Sequence, residues 1–200
     1  MLKLYFAPGS SSMAPHIALH EVGALHEVGA SFETHALSFA KKDHKSAAYL
    51  AINPEGKIPT LLIDGRRLTE VAGILYYLAR RYPEANLLPT GDIEAEAQVI
   101  SWMSFIAATV HPARARGEDY ARTIFGLADL RLGRNEWAVA GGYSIADIHL
   151  FRIYWRYKNF PPPVVGSYPG LDAHHDRILV RPAVQRTIAV ESALGYHLPV

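Results

Sequence analysis

The spacing of apolar residues changes period once along this chain, near residue 83, and that change leaves few folds open. Before it, strand-like and helix-like segments alternate. Leu2, Leu4 and Phe6 alternate with polar neighbours and predict a short strand. Residues Pro8 to Ser12 are a loop, and Ser12 is placed to cap a helix from about Met13, with Pro15 in its first turn. Ser31 to Leu37 reads as a second strand and Lys41 to Tyr49 as a polar helical connection. Pro59 to Ile63 is a third strand, and Asp64-Gly65 is a hairpin signal leading into Arg66-Arg67-Leu68. Val71, Ile74, Leu75 and Leu78 follow at i, i+3, i+4 and i+7, the stripe of an amphipathic helix. The order is β-α-β, then β-β-α.

After the change, only helical spacing is found. Val99, Met103, Ile106 and Val110 share one helix face, and Tyr120, Ile124 and Leu127 are expected to share another. Ser144 to Arg156 predicts a third helix; Pro161-Pro162-Pro163 breaks the chain, and two shorter helices fit around Leu171–Val180 and Ala183–Ser192. The stretch between the regimes holds two prolines and a glycine. The expected division is an α/β domain over 1–83, a linker over 84–91 and an all-helical domain over 92–200.

One local feature stands apart. Ala18-Leu19-His20-Glu21-Val22-Gly23 is followed directly by the same hexapeptide at residues 24–29. Were both copies helical, the second would be rotated by about 240° and would lengthen the helix by about 9 Å, so their buried stripes would not align. One copy is expected to serve the fold, with the other as an overlong helix end or a loop at Gly23. The alternative is a continuous helix ending at Gly29.

Composition removes several functions. The 200 residues contain no cysteine, so disulfides, thiolate metal sites and protein-thiol redox chemistry are excluded, and any thiol must arrive with a ligand. The formal net charge is +1 and no Lys/Arg run exceeds a pair, which gives no footprint for nucleic acid or an anionic membrane. No apolar run approaches the length of a membrane helix, the N-terminus lacks a secretory pattern, and a cytoplasmic location is expected. His174 and His175 are adjacent and point to different helix faces, so no metal site is expected.

Four motifs, in order, cover nearly the whole chain: Pro8-Gly9-Ser10-Ser11-Ser12-Met13-Ala14-Pro15-His16, Tyr49 to Pro54 with Lys57-Ile58-Pro59-Thr60-Leu61, Leu68-Thr69-Glu70, and Tyr143-Ser144-Ile145-Ala146-Asp147. With the β-α-β, β-β-α and all-helical order, the chain resembles the cytosolic glutathione transferases, in particular the bacterial beta class. The resemblance implies a thioredoxin-like N-terminal domain that binds glutathione and a helical C-terminal domain that completes a hydrophobic substrate site. On residues alone, Pro59 is a trans proline entering a strand; the resemblance implies a cis Ile58–Pro59 bond, with the Ile58 backbone facing the cysteinyl part of glutathione. It implies that Glu70 and the N–H of Val71, at the head of a helix, take the γ-glutamyl end. The family often has Ser after this Glu; Val71 offers only its N–H. Lys41 matches a glutathione-contacting lysine.

The beta class carries a Cys where this chain has Ser11. Ser11 is expected to donate a hydrogen bond to the glutathione thiolate, with Ser10 as the alternative, and the three serines could also be a plain polar turn. The first helix starts there, and its dipole favours an anion. His111 aligns with a histidine facing the sulfur, or is structural; the Lys that usually follows it is Pro112, which is expected to kink or end its helix. Ser104, about two turns earlier, is expected to face the pocket, together with Phe105, Ala108 and Tyr157. Ser144 and Asp147 have capping-box spacing and are expected to serve the fold only. The implied activity is transfer of glutathione to a hydrophobic electrophile in a detoxifying homodimer, without metal. The alternatives are a non-catalytic binding protein of the same fold and a glutathione-dependent peroxidase.

Overall fold

The computed structural model describes residues 1–23, 31–159, 166–196 and 198. The second hexapeptide copy and the triple proline lie outside them. The first copy, Ala18 to Gly23, closes the first helix. The described chain forms two compact units, Met1–Ala85 with Pro182–Val200, and Asn86–Arg181.

The first unit is built on a four-stranded sheet of β1 (Leu2–Phe6), β2 (Phe32–Ala36), β3 (Thr60–Ile63) and β4 (Arg66–Thr69), in the order β2-β1-β3-β4. β1 runs parallel to β2 and antiparallel to β3, and β3 antiparallel to β4. Leu2, Leu4 and Phe6 are buried, as their alternation predicts. β2 lies at one edge; most of its residues are exposed, and its Glu33 and His35 leave the edge polar. Asp64 and Gly65 both take positive φ, which the two-residue β3–β4 hairpin requires.

α1 (Met13–Gly23) follows β1 and is buried over almost all its faces. The polar connection forms a short 3-10 turn, Asp43–Lys45, and then α2 (Ala47–Ile52), rather than one helix. α3 (Val71–Arg81) buries Val71, Ile74, Leu75 and Leu78. The last helix of the chain, which a single cut at 84–91 leaves with the helical half, packs on α1 in this unit.

The second unit contains α4 (Ile93–Phe105), α5 (Glu118–Leu132), α6 (Ile145–Asn159) and α7 (Pro169–Leu179); α8 (Pro182–Leu194) is the helix that belongs to the first. Leu87 and Leu88 are buried and the Leu87 carbonyl accepts from Ile145 N–H at 2.9 Å, so this part of the 84–91 stretch is core of the helical unit. The stripe Val99, Met103, Ile106 and Val110 is buried. The expected α5 stripe is not: Leu127 is 48% exposed, and the buried face is Ala121, Ile124, Phe125, Ala128 and Leu132. Small alanines, not the large Tyr120 and Leu127, mark the side that packs. α6 is buried from Ile145 to Trp155 and is exposed at Lys158 and Asn159, its far end. Asp147 anchors it. One carboxylate oxygen accepts from Ser144 N–H (2.8 Å) and Oγ (2.9 Å), the other from Ala138 N–H (2.7 Å), and that second oxygen also meets His174 Nε2 at 2.9 Å. This is a capping box with Asp in the carboxylate role, and it serves the fold.

Candidate functional site

The register of the sheet gathers the expected glutathione-side residues at one end. Phe6 pairs with Ala36, Tyr5 with Thr60, and Thr60 with Thr69. The loop after β1, the connection after β2 that carries Lys41, the turn before β3 and the start of α3 therefore all leave the sheet at the same edge of its strands.

The turn before β3 has a cis Ile58–Pro59 peptide. Its backbone is held from behind by buried side chains. Tyr49 Oη donates to the Lys57 carbonyl (2.6 Å), Asn53 Nδ2 donates to the same carbonyl (2.9 Å), and both side chains meet Thr60 Oγ1, at 2.8 and 3.2 Å. Burial pushes the Tyr49 phenol above its ordinary range, so it stays a protonated donor. These two residues lie inside a motif legible in the sequence, but their role as a brace for the turn is visible only in three dimensions.

Ser11 reaches this turn: its Oγ donates to the Ile58 carbonyl at 3.2 Å. Ser10 is buried and turned inward, its Oγ 2.7 Å from Ser12 Oγ. The Ser12 hydroxyl is spent on the loop, accepting from Ala7 N–H and donating to Ala7 O, both at 3.1 Å. Ser12 ends the loop as the residue whose carbonyl accepts from His16 N–H, but its side chain closes residues 7–12 instead of capping α1. Of the three serines, Ser11 is the one partly open to solvent.

Glu70 is the residue before α3, with φ 64° and ψ 129°, a region sparsely occupied by residues with a side chain. Its carboxylate makes no capping bond and is exposed. Beyond it the first N–H groups of α3, beginning at Val71, have no acceptor within the helix and form an electropositive end. Val71 itself turns its side chain into the core. Lys41 is exposed; it borders a cavity of about 190 Å³ whose walls include Ala7, Pro8, Phe39 and Leu194.

A clamp beneath the serine loop was not legible in the sequence. Glu191 of α8 is fully buried; one carboxylate oxygen accepts from Gly9 N–H at 2.6 Å and the other lies 2.8 Å from His16 Nδ1. Gly9 has φ 70°, and a Cβ there would lie 2.8 Å from the Tyr196 ring. The loop is thus fixed by a residue 182 positions later. His20, stacked on His16 at 4.9 Å, has its imidazole lowered to about 4 by burial first, then by His16 and Arg186.

Ser104 and His111 belong to the helical unit. Ser104 is exposed on the last turns of α4. α4 passes into a wider π turn, Ile106–Val110, and then a 3-10 turn, His111–Arg116. Pro112 has no N–H to give the carbonyl four residues back, and the helix yields one residue before it, with His111 N–H bonding to Ile106 O. The proline thus re-aims His111 without ending the segment. The His111 ring reaches the surface, yet crowding by protein atoms first, and Arg152 and Arg156 second, lower it to about 4. Of the other residues expected to line the substrate side, Phe105 and Ala108 are at least partly exposed, but Tyr157 is buried in a ring cluster. Its centroid is 3.8 Å from that of Phe125, and its hydroxyl is 3.4 Å from that of Tyr168, so it is core.

Among the described residues there is no group of three or more His, Asp or Glu placed to hold a metal ion, and no helix long and apolar enough to cross a membrane.

Comparison with known proteins agrees with this geometry. Residues 1–80 match the family model of the glutathione S-transferase N-terminal domain, and residues 101–182 that of the C-terminal domain. The chain is 30% identical to glutathione S-transferase GstA of Escherichia coli O157:H7, over 95% of this chain and 98% of that protein. It is similar to the structure of a sphingomonad glutathione S-transferase complexed with glutathione (TM-score 0.81, 30% identity, 95% of this chain and 98% of that one). It is likewise similar to a bacterial beta class glutathione S-transferase of Sphingomonas chungbukensis (TM-score 0.79, 33% identity, 94% and 98%). With its sheet of four strands, its eight described helices and both family domains in order, the chain belongs to the glutathione S-transferase family.

Proposed function

We propose that this chain binds glutathione at the end of its sheet and directs the bound thiolate at an electrophilic carbon. The observation that carries the reading is the convergence there of the braced Ile58–Pro59 turn, Ser11 and the open N-terminus of α3. The Ile58 backbone offers a strand edge to the cysteinyl residue. The head of α3 takes the γ-glutamyl carboxylate on its N–H groups, and Glu70 takes the ammonium. Lys41 stands beside the cavity at the loop and serves the glycyl carboxylate.

Ser11 is the hydroxyl for the sulfur, and Ser10 acts through the loop. A hydroxyl carries one proton, and that of Ser11 points to the Ile58 carbonyl. Activation therefore requires it to turn to the thiolate as the Ile58 backbone takes up its ligand. With no cysteine available, the protein supplies orientation and electrostatic stabilisation, and the nucleophile is the ligand's own sulfur. His111 and Ser104, of the helical unit, keep the active-site roles that the resemblance implies for them. The protein acts in the cytoplasm as a homodimer in detoxification.

The test is Ser11→Ala with glutathione and an aryl halide. A hydrogen bond to a charged group is worth about 2 kcal/mol, so kcat should fall roughly 30-fold while glutathione affinity changes little. Unchanged kcat would remove Ser11 from the chemistry. A second reading, a binding protein without transfer activity, is favoured by the Ser11 bond to Ile58. It predicts retention on immobilised glutathione with no turnover in the parent chain.

A further inference from the structure

Ile58 is satisfied on one side only. Its carbonyl accepts from Ser11 Oγ at 3.2 Å, whereas its N–H meets no acceptor among the described residues, and the residue is partly open to solvent. The direction of that N–H is decided one residue earlier. The Lys57–Ile58 peptide is trans, so the Lys57 carbonyl and the Ile58 N–H point to opposite sides of one rigid plane. Whatever draws the carbonyl inward turns the N–H outward. Two side-chain donors draw it: Tyr49 Oη at 2.6 Å and Asn53 Nδ2 at 2.9 Å. Each proton of this group has one place. A carbonyl cannot donate, so the single Tyr49 proton goes to Lys57. The Thr60 hydroxyl, 2.8 Å from Tyr49 Oη, is then the donor of that pair. Asn53 Nδ2 has two protons, one for the Lys57 carbonyl and one for Thr60 Oγ1 at 3.2 Å. Asn53 Oδ1 accepts from Glu55 N–H at 3.2 Å, which sets the amide this way round. The bonds close a ring: Thr60 to Tyr49, Tyr49 to Lys57, Asn53 to Lys57, Asn53 to Thr60. Tyr49, Asn53 and Thr60 are all buried, so water does not compete for these bonds. Three buried polar side chains are thus committed to presenting one backbone donor, on the residue that Ser11 touches.

We propose that Tyr49 and Asn53 are positioning residues for glutathione: acting through the Lys57 carbonyl, they aim the Ile58 N–H at the cysteinyl carbonyl of the ligand. The inference rests on the proposed binding of the cysteinyl residue along the Ile58 backbone. Neither side chain touches the ligand. Their effect is that the donor is already oriented when the ligand arrives, so less binding free energy is lost to ordering it. Removing either donor weakens the hold on the Lys57 carbonyl, lets the peptide plane rock, and carries the Ile58 N–H with it.

Calorimetric titration tests this with two ligands, glutathione and an analogue whose cysteinyl carbonyl is reduced to a methylene. Each is titrated into the parent protein, Tyr49→Phe and Asn53→Ala. The parent should bind glutathione about fivefold or more tightly than the analogue, the scale of one neutral hydrogen bond. In each variant the affinity for glutathione should fall by about fivefold while that for the analogue changes by less than about twofold, so the preference collapses. A general loosening of the fold would weaken both ligands alike. Tyr49→Phe keeps its ring in the core and serves as the second variant should Asn53→Ala fold poorly, which thermal unfolding reports. Amide NMR gives an independent readout. Glutathione should move the Ile58 N–H resonance of the parent downfield, and that movement should shrink in both variants. Equal weakening of the two ligands in Tyr49→Phe, or an Ile58 amide in the parent that bound glutathione leaves unmoved, overturns the inference and leaves glutathione binding standing. Absence of any glutathione binding to the parent overturns the proposed function, and the inference with it.

Discussion

His149 shows how a single side chain sets a condition on the whole fold. Burial, with His111 and Arg152, lowers its imidazole to about 3; His20 and His111 are lowered to about 4. In the unfolded chain each takes a proton near pH 6.5. As pH falls below that value the unfolded state binds protons that the folded state refuses, so stability is full above about 6.5 and is lost progressively toward 4, and toward 3 for His149. Urea midpoints should therefore drop between pH 7 and pH 5, and His149→Leu should flatten the decline. A midpoint independent of pH over that range would contradict it. None of these shifts was legible in the sequence, where His149 carried no motif. The reverse holds for Asp147, whose capping-box spacing with Ser144 was readable and whose two hydrogen bonds from Ser144 follow from it. Short-range partners can be inferred from spacing; the number of protein atoms packed around a ring cannot.

Elements were legible where one face alone had to be apolar. The stripes of α3 and α4 are buried as their periodicity predicts. α5 was misread because its contact face uses Ala121 and Ala128, while large Leu127 is left outside; size is a poor guide to the side that packs when helices approach closely. The break near Pro112 was anticipated, but its form was not: one residue is absorbed in a π turn and the segment continues to Arg116. Pro112→Ala should let α4 run on with regular hydrogen bonds and rotate His111 away from its present direction. The expected result is a small gain in Tm with a lower kcat and an unchanged KM for glutathione. A variant with unchanged kcat would show that the direction of His111 does not matter.

At the scale of the molecule, the order of domains in the sequence hides a return of the chain. Residues from Pro182 onward belong with Met1–Ala85, and Glu191 completes the support of the loop that carries Ser11. No local pattern marks Glu191, because its partners Gly9 and His16 are 182 and 175 residues away. The proposed glutathione side of the protein was thus readable for its motifs and unreadable for what holds them. A chain ending at residue 181 retains every proposed ligand contact yet should fail to be retained on immobilised glutathione; retention would show the clamp to be dispensable.

The same return has a consequence in time. A ribosome makes β1, the serine loop and the cis turn early, but Glu191 emerges only after the whole helical unit has been synthesised. Until then Gly9 N–H and His16 lack their acceptor. The proposed glutathione site is translated before the helical unit and finished after it, so a nascent or prematurely terminated chain would display the motifs without the grip.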